Sequence, residues 1–99
     1  MYARVNTFEG PPDRIDEAVR NVREQILPQL QRQDGFKGLI GLVERQDGRL
    51  IGVTLWESEE AMRASEEEAE RLRGETARGG DQTIAGVQRC EVALFEVSS

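Results

Sequence analysis

The sequence predicts an α+β fold of the ferredoxin-like kind, βαββαβ, with a four-stranded antiparallel sheet carrying two helices on one face. Three observations carry this expectation. The stretch from Phe36 to Ser58, FKGLIGLVERQDGRLIGVTLWES, holds two strand-like runs joined at Asp47-Gly48, a dipeptide suited to a tight type I′ turn. Segments of helical periodicity precede and follow that hairpin. Alternating runs open and close the chain.

Residues Tyr2 to Phe8 alternate: Tyr2, Arg4, Asn6 and Phe8 point one way, and Ala3, Val5 and Thr7 the other, which describes a first strand. Gly10-Pro11-Pro12 ends it. Asp13 then stands where a helix N-cap belongs, with Asp16 and Glu17 in the first turn, at the positive end of the helix dipole. Ile15, Ala18, Val19, Val22, Ile26 and Leu30 recur at three- and four-residue spacing, so the helix has one apolar stripe. Asp16–Arg20 makes an i,i+4 pair on its wet side. Pro28 falls inside the pattern and predicts a kink or a short second segment, and Asp34-Gly35 is the stop.

In the hairpin, pairing Gln46 with Arg49 sets Leu42 opposite Val53 and Ile40 opposite Leu55, an aliphatic face. The other face carries Leu39, Gly41, Val43, Leu50, Gly52, Thr54 and Trp56, with two glycine gaps and a Trp closing one end. Ser58 caps a second helix reaching to about Arg73, supported by Glu59–Arg63 and Glu67–Arg71 pairs. Its apolar residues are few, so it lies thinly on the sheet, and Glu66-Glu67-Glu68 reads as a solvated face. Gly74 to Gln82 reads as a mobile loop, without the Gly-Lys-Ser/Thr ending of a phosphate loop. Thr83 to Val97 is the last strand, with Gly86 as a bulge or bend.

Both hairpin faces are apolar, yet right-handed crossovers put both helices on the same side. The uncovered side therefore predicts a homodimer through the open sheet face, two sheets packing as a dimeric α/β barrel. The glycines and Trp56 mark a cavity between subunits, where a small hydrophobic or aromatic ligand would sit.

The 99 residues suit one domain, 1–99. Net charge is −6, and no basic stripe exists to neutralise phosphates, which argues against nucleic acid or an anionic membrane as partner. The excess is local: between Glu57 and Glu75 lie eight glutamates against three arginines. No run approaches a membrane span or a signal peptide's apolar core, and the lone Cys90 cannot form an intrachain disulfide, so a cytoplasmic location is expected. Histidine is absent, which removes the commonest metal ligand and general base; no metal site is expected.

The element order, Pro28 followed by DGFKG at Asp34–Gly38, and LWESEEAM at Leu55–Met62 resemble the dimeric α+β barrel superfamily, in its antibiotic-biosynthesis-monooxygenase-like branch. The resemblance spans nearly the whole chain. It implies a monooxygenase-like protein that needs no cofactor and acts on a small aromatic or polyketide-type molecule. The alternative is a non-catalytic dimeric module binding a small hydrophobic ligand or a protein partner. Haem-degrading members of the branch also carry an Asn on the first strand, matched by Asn6, but need a Trp and a haem-ligating His on the second helix. By spacing from Trp56 those positions fall near Ser65 and Glu75, which argues against haem degradation.

If Tyr2, Arg4, Asn6 and Phe8 share a side with Thr54 and Trp56, the pocket holds an amide, a cation, a hydroxyl and an indole. Asn6 and Trp56 are then the catalytic candidates, the amide steadying a developing anion and the indole shaping the pocket against a flat ring. Arg4, Tyr2 and Thr54 are the substrate-binding candidates. Each has a plainer role: Trp56 as a core or interface anchor, Arg4 paired with Glu91 or Glu96, and Cys90 packed as a small hydrophobe. Asn6 fits a purely structural role least well, since a mid-strand amide among apolar neighbours needs partners.

Overall fold

The structure, a computed structural model, describes residues 1–98. Four strands, β1 (Tyr2–Glu9), β2 (Phe36–Glu44), β3 (Arg49–Trp56) and β4 (Thr83–Glu91), form an antiparallel sheet in the order β2-β3-β1-β4. This is the expected ferredoxin-like arrangement. No helix is long and apolar enough to cross a membrane among the described residues.

The first helical segment starts with a 3₁₀ turn, Pro12–Arg14, followed by α1 (Ile15–Asn21). Asp13 lies inside that turn and does not cap it: Pro11 occupies the cap position, with no side-chain cap bond. The polyproline step presets the entry, since proline's fixed φ and missing N–H suit a first turn. Asp16 turns away from Arg20 and pairs with Arg45, 2.9 Å away. Ahead of Pro28 the helix widens into a π turn, Val22–Ile26, in which the Leu27 N–H bonds back to the Val22 carbonyl. The proline ring cannot tolerate the regular carbonyl four residues earlier, and the wider turn makes room before α2 (Leu27–Leu30). The predicted stripe is the buried one: Ile15, Ala18, Ile26 and Leu30 are all in the core.

The hairpin register differs from the expected one by two residues. Glu44 pairs with Arg49, Leu42 with Ile51 and Ile40 with Val53. The loop is four residues, 45–48, because Gly48 alone of the turn residues takes a left-handed φ (+70°) and Asp47 does not, as a type I′ turn would require. A shift of two keeps each side chain on its face.

After Ser58, whose Oγ accepts from the Ala61 N–H at 3.0 Å, α3 (Glu59–Ala64) and α4 (Glu66–Gly79) follow. The helix does not end near Arg73. Met62, Ser65, Ala69, Leu72, Thr76 and Gly80 are buried at three- and four-residue spacing, a stripe of small residues that carries the chain through the segment expected to be a loop. Its end packs tightly, since a Cβ on Gly80 would lie 2.8 Å from that of Ala18. Glu67–Arg71 is replaced by Arg71 bonding Glu68 and Glu75, while Glu59–Arg63 forms as expected.

The last strand is shorter than expected, ending at Glu91, and Cys90 is exposed rather than packed. A bulge at Ala85, beside Gly86, shifts the β1–β4 register so that Gln88 and Cys90 join Val5 and Ala3 on the uncovered face.

Gly48 closes the hairpin against the β1 exit: Gly10 N–H donates to the Gly48 carbonyl at 3.0 Å, and a Cβ on Gly48 would stand 2.0 Å from the Gly10 oxygen. Gly48→Ala combines this clash with a strained φ and should cost about 2 kcal/mol or more. Urea unfolding would show it as a lower midpoint at unchanged m-value; an unchanged midpoint would contradict the register described.

Candidate functional site

The helices cover the face that carries the glycines. Leu39, Gly41, Leu50, Gly52 and Thr54 of the hairpin and Arg4, Asn6 and Phe8 of β1 line one cavity with Val22, Ile26 and Leu30 of the first helical segment. Ala69, Leu72, Arg73 and Thr76 of α4 complete it. The cavity thus lies within one protomer, between sheet and helices. The expected position, on the uncovered face between two subunits, is not where the structure puts it. Uncovered instead is the aliphatic face, with Ile40 and Leu42 41% and 50% exposed. Either face could have attracted helices, because both are apolar; the glycine face accepts them since it leaves room for helical side chains without overpacking.

The inner cavity is about 60 Å³, room for a few waters or one edge of a small ring. A groove of about 570 Å³ adjoins it, between the first helical segment and the outer strand, and shares Val22, Leu39, Gly41 and Leu50 with it. The space exists where side chains are missing: a Cβ added to Gly41 or Gly52 would meet no atom within 4 Å.

The structure brings the β1 and β3 candidates together as expected, with Arg4 opposite Thr54, Asn6 opposite Gly52 and Tyr2 opposite Trp56. Arg4, Asn6 and Thr54 line the cavity. Tyr2 and Trp56 stand behind it. Trp56 is fully buried in a cluster with Ile26, Leu30, Met62 and Leu72, and Tyr2 packs against that cluster half-buried. The indole N–H donates to Thr54 Oγ1 at 2.9 Å, so Trp56 fixes the hydroxyl that faces the cavity rather than facing it itself.

Arg4 is 1% exposed and pairs with neither Glu91 nor Glu96. Its Nη2 reaches the break between α3 and α4, donating to the Met62 carbonyl (2.7 Å), Ser65 Oγ (3.2 Å) and Glu66 Oε2 (2.7 Å). The guanidinium also lies over the Trp56 ring, 5.5 Å from its centroid. Its Nε–H is buried and has no partner among the described residues. Asn6 donates from Nδ2 to the Gly52 carbonyl at 3.1 Å and offers Oδ1 to Arg73 Nη1 at 3.5 Å.

Two site residues were missed. Glu66 belongs to the run read as solvated, and Arg73 to the end of a helix expected to lie thinly on the sheet. The i, i+3, i+4 spacing of Ser65, Ala69, Leu72 and Thr76 was the available signal: it turns Arg73 and Glu66 to the edges of the buried stripe. Hydrogen bonds from Arg89, then from Arg4, hold Glu66 at about 2, against the opposing effect of burial.

A carboxylate depressed in the folded state stabilises above its unfolded value, near the ordinary 4.5, and loses that contribution as pH falls through about 2. Glu66→Gln should therefore destabilise by about 1–3 kcal/mol at neutral pH, more than an exposed pair because it strands buried Arg4. Urea unfolding of both proteins across pH should show the difference shrinking between pH 4.5 and 2; a pH-independent difference would show that the charge of Glu66 is not its source.

With this geometry in hand, the chain can be set beside known proteins. Over 77 residues it is 43% identical to the uncharacterized protein Rv2558 of Mycobacterium tuberculosis, a match covering 78% of this chain and 33% of that one. The chain thus spans about a third of that relative's length. Among solved structures, the ActVA-Orf6 monooxygenase of Streptomyces coelicolor, in complex with Nanaomycin D, matches 98% of this chain and 92% of its own, with TM-score 0.69 at 16% identity. The haem degrader MhuD of M. tuberculosis, with two haems bound, covers 98% and 100%, with TM-score 0.70 at 21% identity. At these identities the likeness is one of fold. A family model described as antibiotic biosynthesis monooxygenase matches residues 1–75, and the chain belongs to that family.

Proposed function

We propose that this chain is a cofactor-independent monooxygenase acting on a small aromatic or polyketide-type molecule held between its own sheet and helices. The observation that carries the reading is the cavity itself: apolar walls around a few fixed donors, beside a groove that shares four of its lining residues and is large enough for the rest of a ligand. The oxygenase of the same fold that holds Nanaomycin D supports it. With no histidine in the chain, the ligation that the branch's haem degraders rely on has no residue to supply it.

The chemistry asks little of the protein. A substrate with an activated CH₂ or phenol gives up its proton to solvent before it is enclosed, and its anion passes one electron to O₂. The resulting radical and superoxide combine, forming a C–O bond. Protonation and loss of water from the hydroperoxide leave a carbonyl, with one oxygen atom in the product and one in water, and O₂ is the only oxidant required. The protein's part is to hold the flat ring and stabilise the anion with fixed donors in a site screened from water. Asn6, locked by the Gly52 carbonyl, and Arg4, locked by Glu66 and the Met62 carbonyl, are such donors. Trp56 and Thr54 hold the wall behind them, and Tyr2 closes that end.

Oxygen uptake with a panel of anthrones and quinols tests this. Wild-type protein should consume O₂ with at least one, and Asn6→Ala should lower kcat about a hundredfold, as loss of one oxyanion donor does elsewhere. No uptake across the panel, or an Asn6→Ala variant as active as wild type, would count against it.

The uncovered face supports a second part of the proposal, a homodimer through the open sheet face. Ile40 and Leu42 are exposed there beside half-buried Val5, Ile51 and Val53, a contiguous run of aliphatic side chains on one sheet face, and such apolar surface marks interfaces. Sedimentation at micromolar concentration should give twice 11.1 kDa, and Leu42→Lys should give the monomer. A wild-type monomer would overturn it.

A further inference from the structure

The chain as a whole is acidic, with 19 carboxylate against 13 basic side chains, yet the two adjoining spaces are not. The inner cavity is lined by Arg4 and Arg73 and by no acid. The adjoining groove is lined by Arg20, Arg23 and Arg45 against Asp16 alone. That makes five arginines and one aspartate around the two adjoining spaces.

Within the cavity the two arginines are not equivalent. Arg4 is neutralised by Glu66, though its Nε–H remains buried and unpartnered. Arg73 makes no ion pair among the described residues; its one bond is the long contact to Asn6 Oδ1. Burial first, and the Arg4 charge second, hold its pKa below the ordinary value, with Glu66 and Glu70 opposing and Arg89 adding to the effect. Arg73 is thus a half-buried guanidinium near a second one, with no carboxylate in direct contact among the described residues, and an anion placed between them would supply that contact.

We infer that the cavity takes its ligand as an oxyanion, an ionised carboxyl or phenol on a flat ring, seated on Arg73 and the free Nε–H of Arg4, with the groove's arginines drawing it in. The inference rests on the proposed ligand class and narrows it: a neutral ring of the same shape is a poor ligand. Steering by the groove and the seat on half-buried Arg73 are both charge interactions with the ligand, so the rate of capture and the affinity for an anion both weaken with salt.

Calorimetric titration tests it without turnover, using ligands that the protein cannot oxidise. One arm compares β-naphthoate with β-naphthamide, the other a dinitronaphtholate with its methyl ether. Wild type should bind at least one anion about tenfold more tightly than its neutral partner, as a charged hydrogen bond allows. The arm that shows the preference identifies carboxylate or phenolate as the group recognised. Arg73→Gln should abolish the preference and Arg73→Lys should keep part of it. The indole N–H resonance of the chain's single tryptophan, bonded to cavity-lining Thr54, should shift on binding, reporting both location and folding of each variant. Equal affinity for anion and neutral partner in both arms would overturn the inference, as would a preference that survives in folded Arg73→Gln. If that variant does not fold, wild type in tenfold higher salt decides: anion affinity should fall while neutral affinity stays, and salt-independent anion binding would overturn it. Anion preference without O₂ uptake removes only the oxygenase reading, and O₂ uptake without anion preference removes only this inference.

Discussion

A buried charge at the third residue of the first strand governs much of this molecule. Arg4 sits on β1, at the middle of the sheet, almost wholly removed from water. Burying a guanidinium is costly unless its protons are satisfied, and the fold bends to satisfy those on Nη2. The helix after the hairpin breaks at Ser65, where Arg4 takes the Met62 carbonyl, and restarts with Glu66 as its counter-ion. Trp56 lays its ring against the guanidinium and ties its own N–H to Thr54. Sheet, helix break and tryptophan therefore share one electrostatic anchor, and the cavity's polar end is built around it.

The apolar end follows from what is missing. Gly41 and Gly52 face the helices from neighbouring strands, opposite each other in register, and leave space that leucine or valine at either position would fill. The π turn before Pro28 carries Val22 and Ile26 to the far wall of that space. A single chain thus encloses its own pocket, which frees the opposite, aliphatic face of the sheet for an interface.

Local features of this fold were legible in the sequence. The stripe from Ile15 to Leu30, the cap at Ser58 and the alternation of β1 each depend on neighbours in the chain, and the structure keeps them. Arg4, Asn6 and Thr54 could be placed on one side because a period of two is insensitive to a register shift of two. What remained hidden depends on tertiary context. Two apolar faces compete for one pair of helices, and their hydrophobicity alone does not say which wins. The helix through Gly74–Gly79 is held by close contacts with Ala18 and Asn21 that its glycines permit, whereas glycines in a sequence suggest a loop. Arg73 and Glu66 were overlooked because a charge-rich helix normally keeps its charges in water, and here the narrow buried stripe draws two of them to its edge.

A crystal structure of the protein soaked with β-naphthoate would show whether ligand enters the space between sheet and helices of a single chain. Ring density is expected against Gly41 and Gly52, with the carboxylate oxygens within hydrogen-bond distance of Arg73. Density on the opposite face of the sheet, against Ile40 and Leu42, with the inner cavity unchanged, would contradict it.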